Sequence, residues 1–334
     1  MKRKVLLGMG LLWVAVVLVG LPALRLAQFY WTNPTDPGGE PLVINIPSGT
    51  NLSRVADLLA QKKIITRPRI FTALARVRGK DRTVKAGEYA LSPSLSPSQV
   101  LGVLTVGRPF FHKVTFPEGL TMNQMAALLE EAGLAEADQF LAAANDPDLA
   151  ASLDIPADNL EGYLFPDTYY LTRGMKPKTI VRMMVAHFKE VMAEAKAAFG
   201  KKTGLTDHQS VILASLVEAE TKTASERPLV AGVFVGRLKK GMLLQCDPTV
   251  IYGLEGFQGD LKKEHLAMPH PYNTYLNPGL PPGPIGNPGA SALKAALNPA
   301  QTDYYYFVSR NDGTHKFSRT YAQHLKAVNK YQRQ

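Results

Sequence analysis

The sequence predicts an α+β protein with an N-terminal transmembrane helix, a small α+β module and a larger, helix-rich domain. Three observations support this class. Residues 5–24 form an uncharged, mostly apolar run. A short strand, a Pro-x-Gly turn and an amphipathic helix follow one another twice, starting at Ile46 and at Phe116. Beyond residue 205, apolar residues recur at helical spacing. With 334 residues, 46% of them hydrophobic, the chain can bury more than one core.

The N-terminus has the features of a membrane anchor. Lys2, Arg3 and Lys4 precede the apolar run of residues 5–24, which as a helix is about 30 Å long and matches a bilayer core. A cleaved signal peptide is the alternative, but its apolar region is shorter, about 7–15 residues. We therefore predict an uncleaved anchor in residues 1–25, with its basic flank in the cytoplasm and the remaining chain outside the membrane.

Residues 26–41 are predicted to be a linker, because Pro, Gly and polar residues dominate their second half. Two aromatic residues near its start, Tyr30 and Trp31, are expected at the outer membrane interface or within the linker.

Residues 42–108 are predicted to form the small module, in the order strand, helix, helix, strand, helix. The first helix is indicated by an apolar face at positions i, i+3 and i+4, which are Val55, Leu58 and Leu59. Thr66 is a candidate N-cap of the second helix. Ser96 and the proline after it predict the start of the third.

Residues 109–334 are predicted to form the large domain. Its central helices are expected around residues 207–221 and 225–241, the second of them capped by Ser225. Residues 245–289 are mostly turns and are rich in tyrosine and asparagine, which predicts an ordered lining of a functional site. A β-hairpin is expected near the end, with its turn at residues 311–313.

Two glutamates, Glu218 and Glu220, follow the apolar run of residues 211–217. Glu218 lies over the small residues Ala214 and Ser215, which leave room for a ligand, whereas the residues beneath Glu220 are bulky. A carboxyl group in apolar surroundings has a raised pKa and suits a general acid. Two solvated glutamates at a helix end are an equally open interpretation of the spacing alone.

Other residues indicate no competing chemistry. Glu226 is expected at a helix start, where its charge favours the helix dipole. The histidines lack metal-binding spacing, so no metal or cofactor is predicted. Cys246 is the single cysteine and is expected to be a small packed residue. The formal charge is +10, but no nucleic-acid-binding signature accompanies it, so nucleic acid is not an expected partner.

Six segments resemble the YceG-like (MltG) family of endolytic murein transglycosylases, membrane-bound enzymes that cut nascent peptidoglycan glycan strands. The segments are LEGYLFPDTY at Leu160, ASLVEAET at Ala214, ASER at Ala224, LLQCDPTVIYG at Leu243, YNTYLNPGLPPGPIGNPG at Tyr272 and YYFVSRNDGTHKFS at Tyr305. They occur in the family's order. The resemblance implies a YceG-like catalytic domain in residues 109–334 and a LysM-like module, two strands with two helices, in residues 42–108.

The resemblance also implies roles for individual residues. The family's catalytic glutamate corresponds to Glu218, and its second, supporting acid corresponds to Glu220. Glu226 is predicted to be a further supporting residue. The residues expected to line the glycan cleft are Tyr163, Ser215, Gln245, Asp247, Tyr252, Asn273, Thr274 and Tyr275.

In such an enzyme one carboxylic acid protonates the glycosidic oxygen between N-acetylmuramic acid and N-acetylglucosamine. The carboxylate then takes a proton from the C6 hydroxyl of the muramic acid, which closes on C1 and leaves a 1,6-anhydro end. The expected partners are peptidoglycan strands, the cytoplasmic (inner) membrane spanned once, and peptidoglycan synthases. A non-catalytic wall-binding scaffold and a glycosidase that releases reducing ends are the alternatives.

Overall fold

The computed structural model describes residues 16–107, 109–200, 203–254, 256–257 and 259–332. These residues fall into two compact units. The first comprises the described residues up to His112 together with Thr172–Gly174, and the second comprises Lys113–Leu171 and the described residues from Met175 onward. The division falls four residues after the boundary drawn from the sequence, and the return of residues 172–174 to the first unit was not predicted. Both units mix helices with short strands, which confirms the α+β class.

The first unit begins with a π-helical turn, Val16–Gly20, that continues into helix α1, Leu21–Thr32. Within the part of the chain that the structure describes, no helix combines the length and apolar character needed to cross a membrane. Most of the predicted anchor lies in residues 1–15, outside the described residues. The anchor therefore stays a prediction.

Tyr30 and Trp31 lie in the core of the first unit, so the expectation that they sit at a membrane interface or in a linker was wrong. Trp31 is buried with its ring centroid 5.9 Å from that of Phe71, and the Arg78 guanidinium lies 4.4 Å from the Trp31 ring. The Tyr30 hydroxyl donates a hydrogen bond to the Arg67 carbonyl at 3.2 Å. Large aromatic surfaces gain more from packing against an apolar core than from a position in a linker.

The rest of the first unit is a two-stranded sheet with three helices. Strand β1, Leu42–Ile46, pairs antiparallel with β2, Gly87–Leu91. Helices α2, Leu52–Gln61, and α3, Pro68–Val77, lie between the strands in sequence, and α4, Pro97–Val106, follows them. This is the predicted order of elements. The assignment of the module as LysM-like and its binding of glycan stay predictions.

The predicted helix caps of this unit were partly right. Ser96 caps α4 in a reciprocal capping box with Gln99, as expected. Thr66 is not the cap of α3, because Arg67 occupies the N-cap position and Pro68 begins the helix.

The second unit contains ten helices and four strands among the residues described. The elements, in order, are β3 His112–Thr115, α5 Met122–Glu131, α6 Ala137–Ala144, α7 Pro147–Ser152, β4 Thr168–Leu171, α8 Pro177–Phe199, α9 Asp207–Glu220, α10 Arg227–Lys239, α11 Asp247–Gly253, α12 Lys263–Leu266, α13 Ala290–Leu297, β5 Tyr306–Ser309, β6 His315–Ser318 and α14 Tyr321–Tyr331. β3 pairs with β4, and β5 pairs antiparallel with β6 in the predicted hairpin. The short helices α11 and α12 lie in the segment predicted to be irregular.

The internal repeat is confirmed in both copies. Each strand is followed by a Pro-x-Gly turn whose glycine has a positive φ, 78° at Gly49 and 82° at Gly119. A polar N-cap then starts each helix, Asn51 for α2 and Thr121 for α5. Glycine adopts this left-handed conformation without strain, so the turn can reverse the chain in so few residues.

Helix α9 passes through the centre of the second unit. Its residues 210–217 are all buried, and it packs on α13, α10 and α11. A helix that is buried on every side needs a nearly continuous run of apolar and small residues, which its sequence supplies. The helix ends at Glu220, and its last turn therefore places Glu218 and Glu220 at the edge of the core.

Candidate active site

Glu218 is held by two partners from other parts of the second unit. Its Oε1 accepts a hydrogen bond from Arg227 Nη2, in the first turn of α10. Its Oε2 accepts the backbone N–H of Gly289 at 3.0 Å, at the residue that precedes α13. The Glu218 and Arg227 side chains are both almost wholly buried. The carboxylate is therefore fixed in position rather than free in solvent, which excludes the interpretation as a solvated helix end.

The groups around Glu218 shift its pKa in opposite directions. Burial raises the pKa of Glu218 above its ordinary value, and the negative charge of Glu118 raises it further. The Gly289 N–H and the Arg227 guanidinium lower this pKa, but they do not cancel the effect of burial. Such a group can be protonated before a reaction and stabilised as a carboxylate during it.

The turn before α5 brings a second carboxylate to this site. Glu118 Oε2 lies 3.2 Å from Arg227 Nη2, the same nitrogen that binds Glu218. The turn is fixed by two backbone hydrogen bonds: Gly119 N–H donates to the Asn287 carbonyl, and Asn287 N–H donates to the Leu120 carbonyl, both at 2.8 Å. Glu118 therefore has a defined place beside Glu218, which its sequence position did not predict.

Asn287 joins that turn to a buried carboxylate, Glu161. The Asn287 side-chain amide donates to the Leu120 carbonyl and to Glu161 Oε1, each at 2.9 Å. Glu161 also accepts the backbone N–H of Met122 and the hydroxyl of Tyr252, at 3.1 and 3.2 Å. Burial raises the pKa of Glu161 to about 7, although these hydrogen bonds lower it. The network holds the 117–120 turn against the segment that supplies Gly289.

Glu220 points away from Glu218, because residues two apart on a helix lie on nearly opposite faces. It lines a pocket of about 430 Å³ to which Glu218 does not contribute. Burial raises the pKa of Glu220 to about 7, against a hydrogen bond with the Cys246 thiol that lowers it. Three residues predicted to bind glycan, Gln245, Asp247 and Tyr275, line the same pocket. The Tyr275 hydroxyl donates to Asp247 Oδ1 at 2.5 Å.

Glu226 stands at the N-cap position of α10, close to where it was expected, but its side chain makes no capping hydrogen bond. Its carboxylate instead accepts the backbone N–H of His315 at 2.9 Å and contacts the His315 ring nitrogen Nδ1 at 2.7 Å. The N-cap predicted at Ser225 was therefore wrong, whereas the favourable effect of the Glu226 charge on the helix dipole stays a prediction. The carboxylate thus takes its hydrogen bonds from strand β6 and not from its own helix.

Four other residues of the predicted glycan cleft are buried and use their polar atoms within the protein. Tyr163 contacts the His208 ring nitrogen at 2.6 Å, and Ser215 accepts the backbone N–H of Ile285 at 3.1 Å. Asn273 donates to two backbone carbonyls, and Thr274 contacts the Thr249 hydroxyl at 2.9 Å. Contact of these four with glycan stays a prediction.

Cys246 is fully buried and lies in the core of the second unit, as expected. Burial raises the pKa of its thiol well above the ordinary value, so the sulfur stays protonated and is a poor nucleophile.

Five residues of the site were not predicted from the sequence: Glu118, Glu161, Arg227, Asn287 and Gly289. The sequence held weak signals for some of them. Glu118 lies in the second Pro-x-Gly turn of the repeat, and Arg227 is the last residue of the segment ASER, which resembles the family. Spacing along the chain gave no reason to place them together, because they come from four separate segments of the sequence.

Comparisons with known proteins agree with this architecture. The sequence model of the YceG-like family matches residues 44–330 of this chain. The endolytic murein transglycosylase of Bacillus subtilis (strain 168) is 33% identical over 305 residues, which cover 86% of this chain and 84% of that protein. A protein of the same name from Streptococcus pneumoniae serotype 2 (strain D39) is 30% identical over 312 residues, covering 83% of this chain and 56% of that protein. This chain thus matches just over half the length of the pneumococcal relative.

Among solved structures, the crystal structure of a YceG-like protein from Listeria monocytogenes is similar to this chain. It has a TM-score of 0.59 and 32% sequence identity, and the match covers 87% of this chain and 100% of that one. Family match, relatives and fold agree over most of the described sequence. The chain therefore belongs to the YceG-like family.

Proposed function

We propose that the protein is an endolytic murein transglycosylase that cuts peptidoglycan glycan strands and leaves 1,6-anhydro-N-acetylmuramic acid ends. The names of the Bacillus and pneumococcal relatives support the reaction class. The observation that carries the assignment to a residue is Glu218, a buried carboxylate with a raised pKa, held between a guanidinium and a backbone N–H.

In the proposed reaction Glu218 acts first as an acid. Its protonated carboxyl gives its proton to the glycosidic oxygen between N-acetylmuramic acid C1 and N-acetylglucosamine, and the C1–O bond breaks. The resulting carboxylate is stabilised by Arg227 and by the Gly289 N–H. It then takes the proton of the muramic acid C6 hydroxyl as that oxygen bonds to C1. The proton returns to Glu218 and no water is consumed.

A glycosidase that hydrolyses the same bond is the second candidate. One specific observation favours it: Glu118 and Glu218 share Arg227 Nη2, so two carboxylates lie at one site. Glycosidases pair an acid with a second carboxylate that attacks C1 or activates water. Hydrolysis would consume one water per cut and leave a reducing end. Because substrate supplies the nucleophile in a transglycosylase, only one of the two carboxylates is needed as an acid–base group there.

The products distinguish the two reactions. Purified, undigested peptidoglycan is incubated with the chain, and the released fragments are analysed by mass spectrometry. A transglycosylase gives fragments lighter by one water than hydrolysis products, with no new reducing ends, and internal cuts give chains longer than disaccharides. Reducing ends throughout would establish the hydrolase. Binding to peptidoglycan without any cleavage would favour the non-catalytic scaffold.

We further propose that residues 1–25 anchor the chain in the cytoplasmic membrane, with the enzyme on the outer side beside the peptidoglycan synthases whose product it shortens. The basic residues 2–4 and the apolar run behind them support this topology. Reporter domains active only outside the cytoplasm, fused at Gly38 and at the C-terminus, should both be active. A reporter that works only in the cytoplasm should be inactive at both places, and activity at either one would contradict the topology.

Co-purification of a synthase with the full chain from cross-linked membranes tests the partnership, and its absence would argue against it.

A further inference from the structure

We propose that Glu118 is a positioning residue for the reaction, which acts on Glu218 through the Arg227 guanidinium that both carboxylates share. This inference rests on the proposed function and adds to it a residue of the same site. Arg227 Nη2 is bonded to Glu218 and lies 3.2 Å from Glu118 Oε2. The Arg227 and Glu218 side chains are 7% and 6% exposed, whereas the Glu118 side chain is 46% exposed. Glu118 thus lies on the solvent side of the buried pair.

The position of Glu118 is built into the fold. Its side chain lies directly on Gly289, where a Cβ would overlap Glu118 Oε1 and Cδ. The neighbouring Gly119 is tied to Asn287 by its backbone N–H, and a Cβ at Gly119 would lie 3.5 Å from Glu218 Cγ. The turn is therefore packed against Glu218, and Glu118 reaches Arg227 from a fixed backbone.

Sharing one guanidinium nitrogen has an electrostatic consequence. Arg227 Nη2 interacts with two carboxylates at once. It therefore stabilises the ionised form of Glu218 less than it would if Glu118 were absent. The groups that face Glu218 are Arg227 from α10, Glu118 from the turn before α5, and the Gly289 N–H before α13. Arg227 lowers the pKa of Glu218, and Glu118 raises it. Without Glu118, Glu218 would stay ionised to lower pH, so a smaller fraction of it would carry the proton needed for the reaction.

The test is the pH profile of kcat for Glu118→Gln in the full chain, measured on peptidoglycan with wild type alongside. Glutamine keeps the shape and an oxygen for Arg227 but removes the charge. The alkaline limb of the profile, where Glu218 loses its proton, should move to lower pH by about one unit. At pH values on the alkaline side of this limb, kcat should therefore fall about tenfold, and KM should change less. Glu131→Gln, at the exposed end of α5, removes the same charge from the unit and should leave the profile unchanged.

A second variant moves Glu118 without removing its charge. Gly289→Ala keeps the N–H that binds Glu218, but its methyl group takes the space of the Glu118 carboxylate. The same direction of shift is expected, with circular dichroism used to verify folding. The pKa of Glu218, followed by NMR of the labelled side-chain carboxyl and assigned with Glu218→Gln, should fall in Glu118→Gln. This measurement does not depend on activity.

The outcomes separate the two proposals. A wild-type chain that cleaves nothing would contradict the proposed function, and the NMR titration would still decide the inference about Glu118. Normal cleavage by wild type, with an unchanged profile and an unchanged Glu218 pKa in Glu118→Gln, would overturn the inference alone. A rise in KM without a shift of the profile would also overturn it, because Glu118 would then bind substrate rather than act on Glu218.

Discussion

The backbone N–H of Gly289 donates a hydrogen bond to Glu218 Oε2 at 3.0 Å, and this bond joins the end of α9 to the start of α13. A backbone donor cannot rotate away, so it fixes one carboxylate oxygen while the Arg227 guanidinium binds the other. The relationship explains how a carboxylate at a helix end keeps one orientation. It also makes the site sensitive to any change that displaces residues 286–289.

Replacement of Glu218 by glutamine should lower the rate of glycan cleavage by about 10²–10⁴-fold, because an amide cannot deliver and recover the proton. One of the two hydrogen bonds is lost, since the amide nitrogen then faces a donor, and stability should fall by about 1–3 kcal/mol without unfolding. Rates are measured by release of soluble fragments, and folding by thermal unfolding. Glu220→Gln is the matched control and should keep most of the activity. Near-normal cleavage by Glu218→Gln, with loss in Glu220→Gln, would transfer the role to Glu220.

Replacement of Gly286 by alanine should damage both stability and activity. A Cβ there would lie 2.6 Å from the carbonyl oxygen of Gly119, which is backbone and has no rotamer to adopt. The 117–120 turn would have to move away from Glu218, at an expected cost of about 1–3 kcal/mol. Gly102→Ala, in helix α4, adds the same methyl group where nothing beyond its chain neighbours and its own helix backbone lies within 4 Å, and it serves as the control. Wild-type unfolding temperature and rate in Gly286→Ala would show that this close approach is not needed.

The buried carboxyl of Glu161 should make stability depend on pH. Its folded pKa of about 7 lies above the unfolded value of 4.5, so the folded state binds more protons between these values. The contribution favours folding below pH 4.5 and is lost as pH rises to 7, by at most about 3 kcal/mol. Glu220 contributes in the same direction. Glu161→Gln should flatten this decline in chemical unfolding curves measured from pH 4.5 to 8. If the stability of the variant and of the wild type declined equally with pH, the decline would not come from Glu161.

Replacement of Trp31 by alanine should destabilise the first unit by about 3–5 kcal/mol, because the indole is buried against Phe71 and Arg78. Phe29→Ala, in the same helix but exposed, should change stability by less than about 0.5 kcal/mol. Thermal unfolding of the full chain in detergent compares the two. Equal effects would place Trp31 outside the core and return it to the linker role that the sequence suggested.

Much of the local structure was determined by sequence alone. The repeated Pro-x-Gly turns required glycine at residues 49 and 119, and both have a positive φ. The apolar run before Glu218 predicted a buried helix ending in carboxylates, and α9 is such a helix. These features depend on residues close together in the chain, whose periodicity and backbone preferences are visible in the sequence.

The composition of the site was decided by tertiary structure. Glu118, Glu218, Arg227 and Gly289 lie far apart or on separate elements in the chain, and only the packing of the 117–120 turn and α13 against α9 brings them within hydrogen-bonding distance. The same packing separates Glu218 from Glu220, although they are two residues apart. Sequence spacing shows on which face of its helix a residue lies, but the donors that meet that face, and hence the pKa of the carboxylate, come from segments whose positions long-range packing alone fixes.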